Sequence, residues 1–233
     1  MIDRTDRDWV DRIIDPAEMK LSAALEQARV LAKTRPSLLS MLVSRLRNET
    51  SLGTIDRLLE IIGAIAPEDR IEDALRPYFT SEEARIQSKA LKIYAYRMGD
   101  ARWAMQFLCH EDPRLTANVV EALWRAPEDP TLREFFWAAS SSTNGRVAGN
   151  AVVGLLQLDD PRALDVLRTM CTADSEDMRA AGAWVLGVTA CTGSMTLARR
   201  MLNDHHPKVQ RNAARAIRRL QARAQLQLVP QAE

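Results

Sequence analysis

Apolar and small residues recur along this chain at helical spacing, in segments separated by short polar turns. Counting from a leading apolar residue, offsets 0, 3, 4, 7 and 8 give Leu115, Asn118, Val119, Ala122, Leu123, then Val147, Asn150, Ala151, Gly154, Leu155. The next copies are Met178, Ala181, Gly182, Val185, Leu186 and Val209, Asn212, Ala213, Ala216, Ile217. Two earlier ones are looser: Ile55, Leu58, Leu59, Ile62, Gly63 and Ile86, Lys89, Ala90, Ile93, Tyr94. These offsets share one face of an α-helix, so each segment reads as an amphipathic helix with a buried stripe. Copies recur about every 30 residues, the mark of stacked units that cannot bury their apolar faces alone. Small residues at offsets 4 and 7 let neighbouring helices come close.

Turn residues bound the helices. First members of pairs are predicted near 69–79, 101–110, 131–140, 161–172 and 194–202, and second members near 82–97, 113–125, 146–157, 176–188 and 207–222. Pro113, Pro130, Pro161 and Pro207 stand at helix starts, where a missing N–H costs nothing, and Asp112, Asp129 and Asp160 precede three of them as N-caps. Nearer the N-terminus, Asp15-Pro16 predicts a long helix to about Lys33, and Arg35-Pro36 starts another carrying Leu38, Leu39, Leu42 and Leu46. A helix from Ile55 ends at Pro67. The expected fold is all-α: an α-solenoid of about six antiparallel helix pairs with an N-terminal capping helix. Residues 1–35 form the cap, 36–221 the repeats and 222–233 a disordered tail.

The repeated stripe resembles HEAT repeats, above all the short bacterial kind also found in phycobilin lyases. Asp174 to Gly187 carries the resemblance best, being similar to the family's acidic turn, apolar–Arg pair and Ala-rich helix ending in Leu-Gly. The likeness covers roughly residues 36 to 221 and implies an armadillo-type fold. In that family an Arg follows the leading apolar residue and forms an Asp–Arg ladder. Here only Arg179 does so, and Gln87, Thr116, Ala148 and Gln210 take its place in other copies. Asn118, Asn150 and Asn212, with Lys89, hold a core-facing offset where the family has Ala. Either their side chains satisfy the turn backbone of a neighbouring repeat, or they sit at a half-exposed helix edge.

Composition narrows the function classes. A net charge of +1 over 233 residues gives no global attraction to nucleic acid or membrane, so any electrostatic argument is local. Cys109, Cys171 and Cys191 share no metal-like spacing, and an odd count suits a reducing cytoplasm. The opening residues lack a secretory apolar core, and no apolar run approaches the roughly 20 residues that span a bilayer. His110-Glu111 is similar to the His-Glu pairs of HEAT-like deoxyhypusine hydroxylases, which need several such pairs to hold two irons. This chain has one, so no metal or other cofactor is expected, and His110, His205 and His206 read as solvated turn residues. Ser140 to Gly145 is a flexible polar inter-helix turn, and the glycines at 145, 149 and 154 are spaced for packing rather than for phosphate. No catalytic constellation emerges.

Two surfaces carry a signal. In HEAT-type stacking the second helices line the concave side, and offset 6 there holds Lys92, Glu121, Val153, Trp184 and Arg215, with Trp124 at offset 9. Trp124, Val153 and Trp184 are therefore the expected anchors of a partner, and Gly149 and Ala180 beside Trp184 leave its ring uncovered. The competing expectation is that stacking buries these side chains. Between Arg199 and Arg223 the basic residues are Arg199, Arg200, Lys208, Arg211, Arg215, Arg218, Arg219 and Arg223, against the single acid Asp204. Arg211, Arg215 and Arg218 form a line that reads either as the charged outer face of a terminal repeat or as a site for an anionic partner. The favoured function is a non-enzymatic cytoplasmic scaffold holding a protein partner in its groove, the arginine line steering an acidic segment. The family resemblance leaves two alternatives, a HEAT-like DNA-binding protein or DNA glycosylase and a bilin lyase or pigment chaperone. A nucleic-acid partner is less favoured, because offset 6 alternates in charge and polarity instead of staying basic.

Overall fold

Every regular element among the residues described, 4–227 of a computed structural model, is helical. The chain divides after Gly99 into two units.

The first unit contains α1 (Arg4–Ile14), α2 (Leu21–Thr34), α3 (Leu38–Arg47), α4 (Leu52–Ile65), α5 (Glu68–Leu75) and α6 (Ala84–Met98), with a 3-10 turn at Arg76–Tyr78. Helix α4 is its centre. Leu58, Leu59, Ile61 and Ile62 are fully buried, and α2, α3, α5 and α6 pack around them. The expected single capping helix is two helices, and Pro16 lies in the turn between them. Two contacts hold that turn. The Asp15 carboxylate accepts from the Ala17 backbone N–H at 2.8 Å, and the buried Arg57 of α4 donates to the carbonyls of Ile13 at 2.9 Å and Met19 at 2.5 Å. Arg57 thereby satisfies one carbonyl that α1 leaves open at its C-terminal end and one in the turn before α2.

The second unit contains α7 (Ala101–Met105), α8 (Pro113–Ala122), α9 (Pro130–Ser140), α10 (Gly145–Gln157), α11 (Ala163–Thr172), α12 (Glu176–Thr189), α13 (Ser194–Met201) and α14 (Pro207–Gln227). Helices α8, α10, α12 and α14 lie side by side in that order, and α9, α11 and α13 each pack on the helix that follows. With α3/α4 and α5/α6, six successive helix pairs are present among the described residues. Asp112 and Asp129 cap as expected, accepting from Arg114 N at 2.8 Å and Leu132 N at 2.7 Å. Asp160 accepts from Arg162 N at 3.1 Å, yet α11 begins only at Ala163, so Pro161 sits in the preceding turn. Helix α14 runs to Gln227, beyond the boundary expected at 222, and the rest of the expected tail lies outside the described residues.

In four copies the position after the leading apolar residue has one task despite its varied chemistry. Thr116 Oγ1 donates to Phe107 O at 2.8 Å, Arg179 Nη1 to Ala173 O at 2.8 Å and Asp174 O at 2.7 Å, and Gln210 Nε2 to Asp204 O at 2.6 Å. In the first unit Gln87 Nε2 donates to Phe79 O at 2.9 Å. Each holds a backbone carbonyl of the turn that links the two helices of its own pair. Arg179 alone adds an acid, reaching Asp204 at 2.7 and 3.1 Å, and that guanidinium holds the Asp204 carboxyl below its ordinary range. Glycine sets two close approaches. A Cβ on Gly154 would lie 2.5 Å from the Phe136 ring of α9, and one on Gly187 would lie 2.6 Å from the Ala216 Cα of α14.

Candidate interaction groove

The stripes that α8, α10, α12 and α14 turn away from their first helices border a groove of about 690 Å³. Its aromatic part is a pair. Trp124, in the 3-10 turn that follows α8, donates its indole N–H to the carbonyl of Asn150 in α10 at 2.8 Å. Its ring centroid lies 6.1 Å from that of Trp184 in α12, with the planes inclined by 30°, and both rings are half-buried. Gly149 lies beneath the ring, where a Cβ would stand at ordinary contact, 3.8 Å from Trp184. Two of the three expected anchors are thus brought together. Val153 is not the third, since it is fully buried in the core cluster on which both tryptophans pack. Offset 6 of α10 lies in a helix flanked on both sides, and the two large rings fold over the cluster that holds it.

Two asparagines tie the groove's backbone. Asn150 Nδ2 donates to Ala117 O at 2.7 Å, and Asn212 Nδ2 to Ala180 O at 2.8 Å. Both run from offset 3 to the offset-2 carbonyl of the preceding second helix, so the acceptor is helical backbone rather than the expected turn. Asn118 instead accepts from Arg146 Nη2 at 2.6 Å, and in the first unit Lys89 pairs with Asp56 and Glu60 at 3.0 and 2.7 Å.

Charges in the groove are largely matched. Arg146 stands 3.8 Å from Glu121, and Lys208 pairs with Asp177, whose carboxyl it holds below the ordinary range. Arg219 also lines the groove, and among the described residues it has no ion pair. The expected arginine line divides. Arg215 falls between Asn212 and Arg219 on the groove stripe, whereas Arg211 and Arg218 occupy the offsets that in α12 are Ala180 and Gly187, both covered by α14. On α14 those positions are exposed. Arg219 was not among the expected site residues, although the spacing of Lys208, Asn212, Arg215 and Arg219 marks one helix stripe.

Other reactive groups stand apart from the groove. His110 Nδ1 accepts from Asp112 N at 3.0 Å, and His205 is exposed. Burial pushes the Cys171 thiol up to about 12, and Cys109, Cys171 and Cys191 are all free. Among the described residues no three His, Cys, Asp or Glu side chains are grouped to hold a metal ion, and no helix is long and apolar enough to cross a membrane.

A profile of HEAT repeats matches residues 101–187, from α7 to the last turns of α12. That segment is a run of HEAT repeats. Among solved structures, the chain is similar to an engineered protein at 17% identity and TM-score 0.42, covering 92% of this chain and 63% of that one. It is also similar to human deoxyhypusine hydroxylase in complex with glycerol, at 14% identity and TM-score 0.40, over 94% and 96% of the two chains. A designed armadillo repeat protein gives 15% identity and TM-score 0.34 over 91% and 98%. No curated protein matches the chain. The HEAT-repeat segment supplies both tryptophans, Asn150, Arg146 and Asp177 to the groove, and α14 adds Lys208, Asn212 and Arg219. Chemically the groove offers an apolar aromatic surface, exposed polar edges and one uncompensated guanidinium.

Proposed function

We propose that the groove binds a segment of a protein partner, seating an apolar side chain against Trp124 and Trp184 and an acidic one near Arg219. The observation that carries this reading is the juxtaposition of a half-buried tryptophan pair with an unpaired arginine in one groove. Trp and Arg are the residue types on which interface energy concentrates, and these rings are already oriented by packing and by the Trp124 bond to Asn150. Arg146 and Lys208 face acids of their own, so Arg219 decides the sign of charge preferred. HEAT repeats commonly bind proteins, which agrees with this use of the surface.

A random peptide library displayed on phage and selected on the full chain tests the proposal. Selected peptides should combine an apolar residue with acidic ones. Trp184→Ala should weaken them by about 2 kcal/mol, roughly 30-fold in Kd, and Arg219→Glu should weaken them in a salt-dependent way. A thermal melt of each variant separates lost binding from lost folding. Peptides that bind Trp184→Ala and Arg219→Glu as tightly as the parent would remove the groove from consideration.

A further inference from the structure

Helix α14 presents a second surface that the groove does not use. By repeat equivalence, Arg211 and Arg218 point away from α12, with Arg215 between them at the groove's edge, and all three are exposed. Arg199 and Arg200 end the adjoining α13, and both are exposed. The acids that could offset this charge are engaged elsewhere: Asp204 on Arg179 and Asp177 on Lys208. Among the described residues Arg199, Arg200, Arg211, Arg215 and Arg218 have no ion pair. A net charge of +1 for the whole chain therefore conceals a strongly positive end of the second unit.

We infer that this face binds the phosphate backbone of a nucleic acid, independently of the groove. The scarcity of apolar contact area among the arginines of α14 decides between a nucleic acid and an acidic protein. Leu202 and Leu226 are exposed at the two ends of this stretch, but between them no large hydrophobic side chain is exposed among the described residues, whereas a protein interface needs a desolvated apolar core. Phosphate binding needs no such core, because its driving force is the release of counterions. Guanidinium forks suit phosphate oxygens, and every exposed, unpaired cation of this face is an arginine. A helical rise of about 1.5 Å per residue spreads Arg211 to Arg218 over about 10 Å, some three base steps of one strand. Contacts of this kind position a backbone without reading bases, so the binding carries no sequence preference.

The test uses the full chain and a fluorescein-labelled DNA duplex of arbitrary sequence, about 20 base pairs long, followed by anisotropy across a salt series. The duplex should bind at low salt. Each arginine engaged contributes about 0.9 to the log–log salt slope, so Arg211→Gln, Arg215→Gln and Arg218→Gln together should make it shallower by nearly 3 and weaken binding. The same three positions changed to Lys should keep most of the slope, because the charge is retained. Failure to bind at about 50 mM salt overturns the inference, as does an unchanged slope in the Gln variant or a collapse in the Lys variant. Poly-glutamate displacing the duplex as well as unlabelled DNA does would assign the face to an acidic protein and overturn it too.

Discussion

Replacing Asn150 by Leu isolates one buried amide. Asn150 is 3% exposed, and its side chain spans 2.7 Å to the Ala117 carbonyl of the neighbouring repeat. Leucine keeps the branching at Cγ, so the change removes the donor without opening a cavity. Ala117 lies mid-helix, where the helix ladder already supplies its carbonyl with a donor, which places the loss at about 1–2 kcal/mol rather than higher. Asn212 provides an internal control, since it makes the same bond at 2.8 Å from a half-buried position where water replaces the lost partner. Asn212→Leu should therefore cost less than about 1 kcal/mol. For a chain of this length 1 kcal/mol shifts Tm by about 2–4 °C, so calorimetry should find a drop of about 2–8 °C for Asn150→Leu and less than about 4 °C for Asn212→Leu. Equal shifts, or a rise in Tm for Asn150→Leu, would refute the claim that burial of the amide bond sets its worth.

Glycine and carboxylate positions give further tests. Gly187→Ala forces a Cβ to 2.6 Å from the Ala216 Cα and should destabilise by about 1–3 kcal/mol, read from urea midpoints. Gly149→Ala meets neighbours only at ordinary contact, 3.4 Å from Ala181 Cβ, and gains helix propensity, so it should be neutral or stabilising by up to about 1 kcal/mol. Asp160 is buried among Arg162, Trp137 and Arg133, and chiefly Arg162 holds its carboxyl well below the usual range. A depressed carboxylate contributes stability above its unfolded pKa of about 3.9 that is lost as pH falls through the folded value. Asp160→Asn should therefore be less stable than the parent at pH near 7 but lose less on acidification toward about pH 2, measured by urea midpoints at both. A parallel decline in the two proteins would contradict this.

The helix pairs were legible because a stripe of 3.6-residue period survives in every copy, and prolines and aspartates mark the starts. The break between α1 and α2 was not, because Asp15-Pro16 looks locally like a helix start. The turn there is held from Arg57, 44 residues from Ile13. Trp124 and Trp184 were found by comparing equivalent offsets, which works where neighbours are alike. Val153 shows the limit of that comparison: its offset is exposed in α14 as Arg215 but buried in α10, where helices flank it on both sides and the tryptophan rings pack over its cluster. Arg219 lies at offset 10, one residue beyond the offsets that carry the tryptophans, at the position that Val188 occupies in α12 and in the same groove.

Repeats in a stack ordinarily touch only their immediate neighbours, and Trp124 on Trp184 is an exception, joining the units on either side of α10. The ring pair acts as a strut across three successive second helices. A change in the packing of α8 and α12 on α10 would change the separation of the rings. A side chain inserted between the rings would part them, and with Trp9, Trp103 and Trp137 replaced the emission of the remaining two indoles would serve as its gauge.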